Sequence, residues 1–340
     1  MPYPSNPKLG QDLQRLKAVS VDMGKDPALV QASGGNTSLK EQGVLWIKAS
    51  GKSLALSDQD DTFIPLALDR VLEEAASPDE FSLGLQSLSK NDLRPSIETT
   101  MHALIPHAVV LHSHAIDIIA ISLLPEAQTR IRDALNGINW HWIPYQRPGK
   151  PLTQEIINAL DRQPADVFIL ANHGLVVGAS NPDEAAALQA EVTQRLRQTA
   201  REYMDVNISE ISKVLASLDG AYLPESSVIH SLAIDPWSLE LAQRNPAYPD
   251  HVVFCGVRPW VKGFAEIPRS IETKYGLIPG VGVFLLPAAN AATQAMLQAQ
   301  AEILLRIPPG EEINLLTDHQ CDELLNWEAE KYRQDLVKSV

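Results

Sequence analysis

Hydrophobic and polar positions along the chain alternate between two periods, and the alternation predicts helices interleaved with short strands. A helical apolar pattern runs over Lys8–Lys25, and a second covers Ile64–Ala76. The run Ile97, Met101, Leu104 marks the end of another helix over Glu98–Leu104. Between the first two lie a Gly/Ser/Asn turn region, Gln31–Leu39, and a short strand rich in β-formers, Gly43–Lys48. Ala108–Leu111 (AVVL) reads as a buried strand that ends at a pair of histidines. Ala115–Leu124 reads as a helix stopped by Pro125. Val167–Leu170 (VFIL) and Gly174–Val177 (GLVV) are two more strands joined by a turn. Pro182–Asp205 is a long helix, with Asn181 as its cap and Pro182 at its first position.

Beyond about Leu223 the pattern changes. Prolines crowd the segment and no chemistry-bearing cluster appears, so a boundary near residue 223 divides a domain over 1–223 from a smaller α/β region over 224–340. An internal echo crosses that boundary. The stretch from Pro164 (PADVFIL) resembles that from Pro249 (PDHVVFC), and His173-Gly-Leu-Val-Val resembles Val281-Gly-Val-Phe-Leu. Gln189-Ala-Glu-Val matches Gln300-Ala-Glu-Ile, and Ser96-Ile-Glu-Thr99 recurs as Ser270-Ile-Glu-Thr273. If the echo is a repeat, the second copy is degenerate, with Val281 where the first has His173.

Composition narrows the class. The 340 residues are 45% hydrophobic and 21% charged, which excludes a disordered or fibrous chain. A net charge of -14 repels phosphate backbones and anionic lipid surfaces, and no basic stripe offsets it, so neither nucleic acid nor membrane is expected as a partner. Cys255 and Cys321 match no metal or redox spacing and suggest a reducing compartment. Met1-Pro2-Tyr3-Pro4-Ser5 carries no basic cluster ahead of an apolar stretch, and the most apolar segment, Val109–Leu124, is interrupted by His112, His114 and Asp117. The expectation is a cytoplasmic protein.

The candidate chemistry centres on histidine. His112 and His114 flank Ser113 at a strand end, and residues i and i+2 of a strand point to the same side. Two such imidazoles are a ready metal pair, or equally two surface histidines. His173 stands just past another apolar strand, before Gly174. Alone it is a turn residue; as a third ligand it completes the set that catalytic zinc prefers, with one position left open. Glu98 shares a helix face with His102 at i, i+4. A carboxylate near a metal can serve as general base with a pKa near the working pH, and away from one it is an ordinary helix-terminal charge. His102 is read either as a group supporting the site from behind or, in preference, as a packed partner of Glu98. The turns Ser33–Ser38 and Ser50–Ser53 offer backbone N–H groups and hydroxyls of the kind that cradle an anion, with Ser96 adding a hydroxyl and Lys52 a charge. Neither turn is a dinucleotide or Walker fingerprint.

Taken in order, Gly35-Asn36-Thr37-Ser38, Ala49-Ser50-Gly51, Glu98, His112-Ser-His114, Tyr145-x-x-Pro-Gly149 and His173-Gly174 resemble the class II aldolase/adducin family over roughly residues 8–215. The run from Pro95 to His114 is most similar to the branch that supplies the aldolase half of rhamnulose-1-phosphate aldolase/dehydrogenase fusions, and no dehydrogenase fingerprint follows. The resemblance implies an αβα three-layer domain, of mixed α/β (α+β) class, with a mostly antiparallel central sheet. It implies a divalent metal, usually Zn²⁺, on His112, His114 and His173, with Glu98 as the catalytic acid/base. Asn36, Ser50, Gly51 and Ser96 fall at the positions that bind the substrate phosphate. The implied reaction is cleavage or formation of a C–C bond in a ketose phosphate or related hydroxy-carbonyl compound, through an enediolate stabilised by the metal. Family members are commonly homotetramers.

Sister activities in the family are sugar-phosphate 4-epimerases, decarboxylases and dehydratases, and adducin-like members are non-catalytic scaffolds. Epimerases tend to carry Asp where this chain has Glu98, which tilts the reading toward carbon–carbon cleavage. The stretch from Glu98 to His112 is shorter than in fuculose-phosphate aldolases. The family's C-terminal tyrosine has no obvious counterpart among Tyr203, Tyr222, Tyr248 and Tyr275.

Overall fold

A computed structural model describes residues 7–59, 61–77, 88, 93–216, 218, 220–261 and 273–327. In chain order these form α1 (Pro7–Lys25), β1 (Asn36–Glu41), β2 (Val44–Lys48), β3 (Phe63–Ala67), α2 (Leu68–Ala76), α3 (Thr99–Leu104), β4 (Val109–Ser113), α4 (Ile116–Ser122), α5 (Ala127–Ala134), β5 (Trp140–Ile143), α6 (Lys150–Arg162), β6 (Val167–Leu170), β7 (Gly174–Ala179) and α7 (Pro182–Arg195). There follow α8 (Ile208–Leu215), α9 (Ser231–Ile234), α10 (Pro236–Ala242), α11 (Pro249–Cys255), β8 (Trp260–Val261), β9 (Tyr275–Ile278), β10 (Gly282–Leu285), α12 (Ala291–Leu305) and α13 (Asp318–Asn326).

Two compact units divide the chain. One holds Met1–Ile118 and Gln128–Leu196; the other holds Ile119–Ala127 and Arg197–Val340. The change of unit at 196/197 precedes the composition change near residue 223, which falls inside the second unit.

The first unit is built on a seven-stranded sheet of order β3-β2-β1-β4-β7-β6-β5. Every neighbouring pair is antiparallel except β5 with β6. Helices α1 and α7 pack on each other and against β1, β4 and β7, while α2, α3 and α6 pack among themselves, so the sheet is the middle of three layers. Alternation along the central strands explains the layering. Val110 of β4, Phe168 and Leu170 of β6 and Val176 of β7 join Met101 and Ile105 of the α3 segment and Leu152 and Ile156 of α6 in one buried cluster. His112 stands opposite Val176, two residues on from Val110, and so emerges on that same face.

Three local expectations are corrected. Residues 36–41 form a strand where the small polar residues suggested only a turn, because pairing on both edges, with β2 and β4, overrides their weak β preference. The helix expected from Ile64 starts at Leu68; Phe63–Ala67 is the edge strand β3, a position in a sheet that tolerates Pro65. Helix α7 stops at Arg195 rather than Asp205, where the chain leaves the first unit. Its N-cap is as expected, with the Asn181 side chain accepting from the Glu184 N–H.

The second unit holds a three-stranded sheet, β10-β9-β8. Its β8–β9–β10–α12 run repeats the plan of β5–β6–β7–α7. In each, a parallel pair begun by a tryptophan (Trp140, Trp260) leads into an antiparallel hairpin closed at Leu170↔Gly174 or Ile278↔Gly282. Both three-residue turns hold a positive φ at the middle position, 57° at Asn172 and 71° at Gly280, and end on a glycine at 151° or 153°. Both following helices are capped by an asparagine side chain, Asn181 or Asn290. Val281 thus occupies the turn position of His173. The other half of the echo fails: Pro249–Cys255 is helix α11, not a strand, and the counterpart of β6 is Tyr275–Ile278. Of the recurrence at 270–273, residues 270–272 lie outside the described residues.

Candidate metal centre

His112 lies in β4, His114 just beyond its end, and His173 in the turn before β7. Strands β4 and β7 are paired, so the three rings meet at one end of the sheet. Their centroids are 5.0, 4.9 and 5.1 Å apart, and one ligand nitrogen from each lies within 4.8 Å of the others. All three side chains are buried. The His112 Nδ1–H donates to the Leu175 carbonyl at 3.0 Å, which sets the tautomer and leaves the Nε2 lone pair toward the cluster.

Two glycines permit the convergence. A Cβ on Gly174, whose φ is 151°, would stand 2.1 Å from the Ser113 carbonyl oxygen, so only glycine lets the His173 turn come this close to the end of β4. On the other side, Gly35 has φ of 59°, and a Cβ there would come 2.8 Å from the His112 carbonyl oxygen.

Glu98 is the residue before α3 and is buried against the histidines. Its Oε2 lies 3.5 Å from His112 Nε2 and its Oε1 3.7 Å from His173 Nε2. Burial alone pushes this carboxyl up, but the facing His112 and His173, the Asn36 hydrogen bond and His114 outweigh it and lower it from 4.5 to about 2. It is therefore ionised at neutral pH, below the working range that the sequence reading anticipated. Oε2 accepts from Asn36 Nδ2 at 2.7 Å, whereas Oε1 is buried without a hydrogen bond. A buried carboxylate oxygen left bare beside three imidazoles fits a bound divalent cation, and the nitrogen–oxygen donor set suits zinc.

His102 shares the helix face of Glu98, and its ring bonds to β1, which favours the supporting role over simple packing on Glu98. Nδ1 lies 2.7 Å from Ser38 Oγ, and Nε2 bonds Asn36 Oδ1. Burial, opposed by Glu98, lowers this imidazole from 6.5 to about 3, so it is neutral. Lys40 Nζ donates to the carbonyls of His102, Ala103 and Ile105 and holds the end of α3. Residues Asn36 and Ser38 were legible as a pair on one strand face only once 36–41 was seen as a strand.

The anion-binding candidates gather nearby. Ala49 bridges Pro95, Ser50 N donates to Arg94 O, and Ser96 N donates to Lys48 O, so the Ser50–Gly51 turn runs beside Ser96. Ser96 Oγ accepts from Asn36 Nδ2 at 3.2 Å and from the Glu98 N–H at 3.3 Å. Lys48 reaches the first turn: it is buried, and its Nζ donates to Ser33 O at 2.7 Å. Tyr248 and Tyr275 are buried in the second unit, with Tyr248 Oη donating to Met296 O. Among the described residues no helix is long and apolar enough to cross a membrane.

A three-layer sheet domain with three histidines at one strand end defines the class. Residues 14–200 match the family described as Class II Aldolase and Adducin N-terminal domain, and the chain belongs to that family. Over 204 residues it is 30% identical to the "Uncharacterized oxidoreductase YuxG" of Bacillus subtilis (strain 168), a match that takes in 55% of this chain and 29% of that one. The chain therefore spans less than a third of that relative's length. Among solved structures, it is similar to the N-terminal class II aldolase domain of a conserved protein from Thermoplasma acidophilum (28% identity, 58% of this chain and 97% of that one, TM-score 0.49). It is also similar to a sugar-phosphate aldolase from Thermotoga maritima (15% identity, 62% and 97%, TM-score 0.44).

Proposed function

We propose that the chain is a metal-dependent lyase that cleaves or forms a carbon–carbon bond in a ketose phosphate or a related hydroxy-carbonyl compound, with zinc as the metal. The observation that carries this reading is the half-anchored Glu98 carboxylate 3.5 and 3.7 Å from two of three converging histidines. His112, His114 and His173 hold the cation. When bound, it acts as a Lewis acid on the substrate's carbonyl oxygen.

The protein's own groups do the rest. Glu98 Oε1 takes the proton from the carbon next to the carbonyl in the synthetic direction and returns it in cleavage. Burial of the whole cluster excludes water, so the charge on Glu98 is not spent on solvent. The Gly51 N–H and the Ser50 and Ser96 hydroxyls receive the phosphate, beside a turn tied down by Lys48. The intact histidine set and Glu98 argue against a scaffold that has shed its ligands.

A retro-aldol assay over a panel of ketose phosphates tests the reading. The wild type should release an aldehyde and a ketone, and Glu98→Gln should lose about 10²–10⁴-fold in rate. Cleavage that persists undiminished in Glu98→Gln removes the residue from the mechanism; inversion at carbon without cleavage points to an epimerase of the same fold.

A further inference from the structure

Asn36 sits at a position where the family resemblance implies contact with the substrate phosphate, yet its side-chain amide is already committed. Nδ2 donates to Glu98 Oε2 at 2.7 Å and to Ser96 Oγ at 3.2 Å, and Oδ1 accepts from His102 Nε2. No atom of the amide is left to take a phosphate in this arrangement.

We infer that His102 is a positioning residue for Glu98: through Asn36 it decides which carboxylate oxygen is anchored and which one faces the three histidines. The inference rests on the reading of Glu98 as the proton-transfer group.

The chain of bonds has one direction. Ser38 Oγ–H donates to His102 Nδ1, His102 Nε2–H donates to Asn36 Oδ1, and Asn36 Nδ2–H donates to Glu98 Oε2. Asn36 and Ser38 are two apart on β1 and share a face, so one imidazole spans both. Reversing the amide would set Oδ1 against the carboxylate, two acceptors in contact, and the NH₂ group against the ring N–H. The carboxylate opposes the flip, and an imidazole held as the Nε2–H tautomer opposes it from the other side. All four side chains are buried, at 4% exposure for Glu98, 5% for Asn36 and none for Ser38 and His102. An apolar side chain at 102 would fill this space without needing two partners, so packing alone does not call for a histidine. With Oε2 held, Oε1 remains the one oxygen able to exchange a proton with a substrate carbon.

Three measurements test this. ¹⁵N shifts of the metal-loaded wild type at about pH 7 should show His102 as the neutral Nε2–H tautomer; an Nδ1–H or doubly protonated ring overturns the inference, whatever the enzyme's activity. Kinetics follow deuterium exchange from solvent into dihydroxyacetone phosphate, the simplest ketose phosphate. His102→Phe should lower kcat by about 10–100-fold, while KM changes by less than about threefold and the metal content holds. His102→Gln, which keeps one donor and one acceptor, should recover most of the rate. The double variant His102→Phe, Asn36→Leu should lose no more than the worse single variant, because both cut the same chain. Losses that multiply, or a His102→Phe protein that merely unfolds earlier with unchanged kcat, overturn the inference. A wild type that exchanges no proton and cleaves nothing defeats the functional reading instead, and the tautomer then decides the positioning role by itself.

Discussion

Gly174 faces the backbone of Ser113 so closely that the hydrogen standing in for its Cβ is all the space admits: a methyl carbon there would lie 2.1 Å from the Ser113 oxygen and 3.1 Å from His114 Cα. This contact draws the His173 turn against the strand end that carries His112 and His114. Gly174→Ala should therefore cost about 1–3 kcal/mol for its backbone conformation alone, plus the clash. Urea unfolding should show the loss, and metal affinity should fall with it. An alanine variant with wild-type stability and metal content would show that the approach of β7 to β4 is looser than this geometry.

His251 supplies a pH dependence. It is buried in the second unit between Tyr248 and Tyr275, with ring centroids 6.1 and 6.2 Å away. Burial, helped by Lys274, lowers it from 6.5 to about 3. The unfolded chain takes up a proton below about pH 6.5 that the folded chain refuses until about pH 3. Stability is thus untouched above pH 6.5 and falls as the solution becomes more acidic, by up to about 1.4 kcal/mol per pH unit from this group. His251→Phe should flatten the curve between pH 6 and pH 4 by roughly that slope. Denaturation curves of the two proteins that stay parallel across that range would contradict the assignment.

Val281 and His173 hold the same place in two like-shaped turns, which sets up a negative prediction. The β10 strand meets Tyr222 across an isolated bridge, and its Val283 N–H donates to His230 Nδ1 at 3.1 Å. Among the described residues the one group able to hold a metal is His112, His114 and His173. Val281→His should leave the metal content of the protein unchanged. A second equivalent of tightly bound metal in the variant would mean that the second unit retains more of a site than its residues indicate.

Arg201 is a hub of the second unit. Its guanidinium pairs with Asp235 at 2.5 Å and donates to the carbonyls of Leu304, Leu305 and Ile307 at the end of α12. Arg201→Met removes the ion pair to Asp235 and the side-chain donors to those carbonyls, although Leu304 O, Leu305 O and Asp235 keep backbone donors, and should cost about 2–4 kcal/mol in unfolding free energy. A variant within about 0.5 kcal/mol of wild type would place the hub on the surface in energetic terms.

Much of this was legible in the chain because period-2 and period-3.6 patterns are strong where strands and helices are long or buried. The apolar runs that became β4 and β6 end shortly before histidines, the one that became β7 begins just after His173, and that juxtaposition is what the metal centre is made of. The strand β1 was not legible, since Gly35-Asn36-Thr37-Ser38 has turn-like composition and its pairing partners are far away in sequence. Missing it hid the face shared by Asn36 and Ser38, and with it the partners of His102. Pro249–Cys255 shows the opposite failure. Its short β-branched run looks like a strand, and only the tertiary setting makes it a helix. Backbone groups that finish the site, such as the Leu175 carbonyl on His112, leave no trace in side-chain chemistry.

The central claim is that His112, His114 and His173 jointly hold one divalent cation. Elemental analysis of the wild type and His173→Ala, purified side by side, tests it most directly. The account predicts about one metal ion per chain in the wild type and almost none in a variant that is still folded. Equal metal in both, or none in the wild type after loading with zinc, would contradict it.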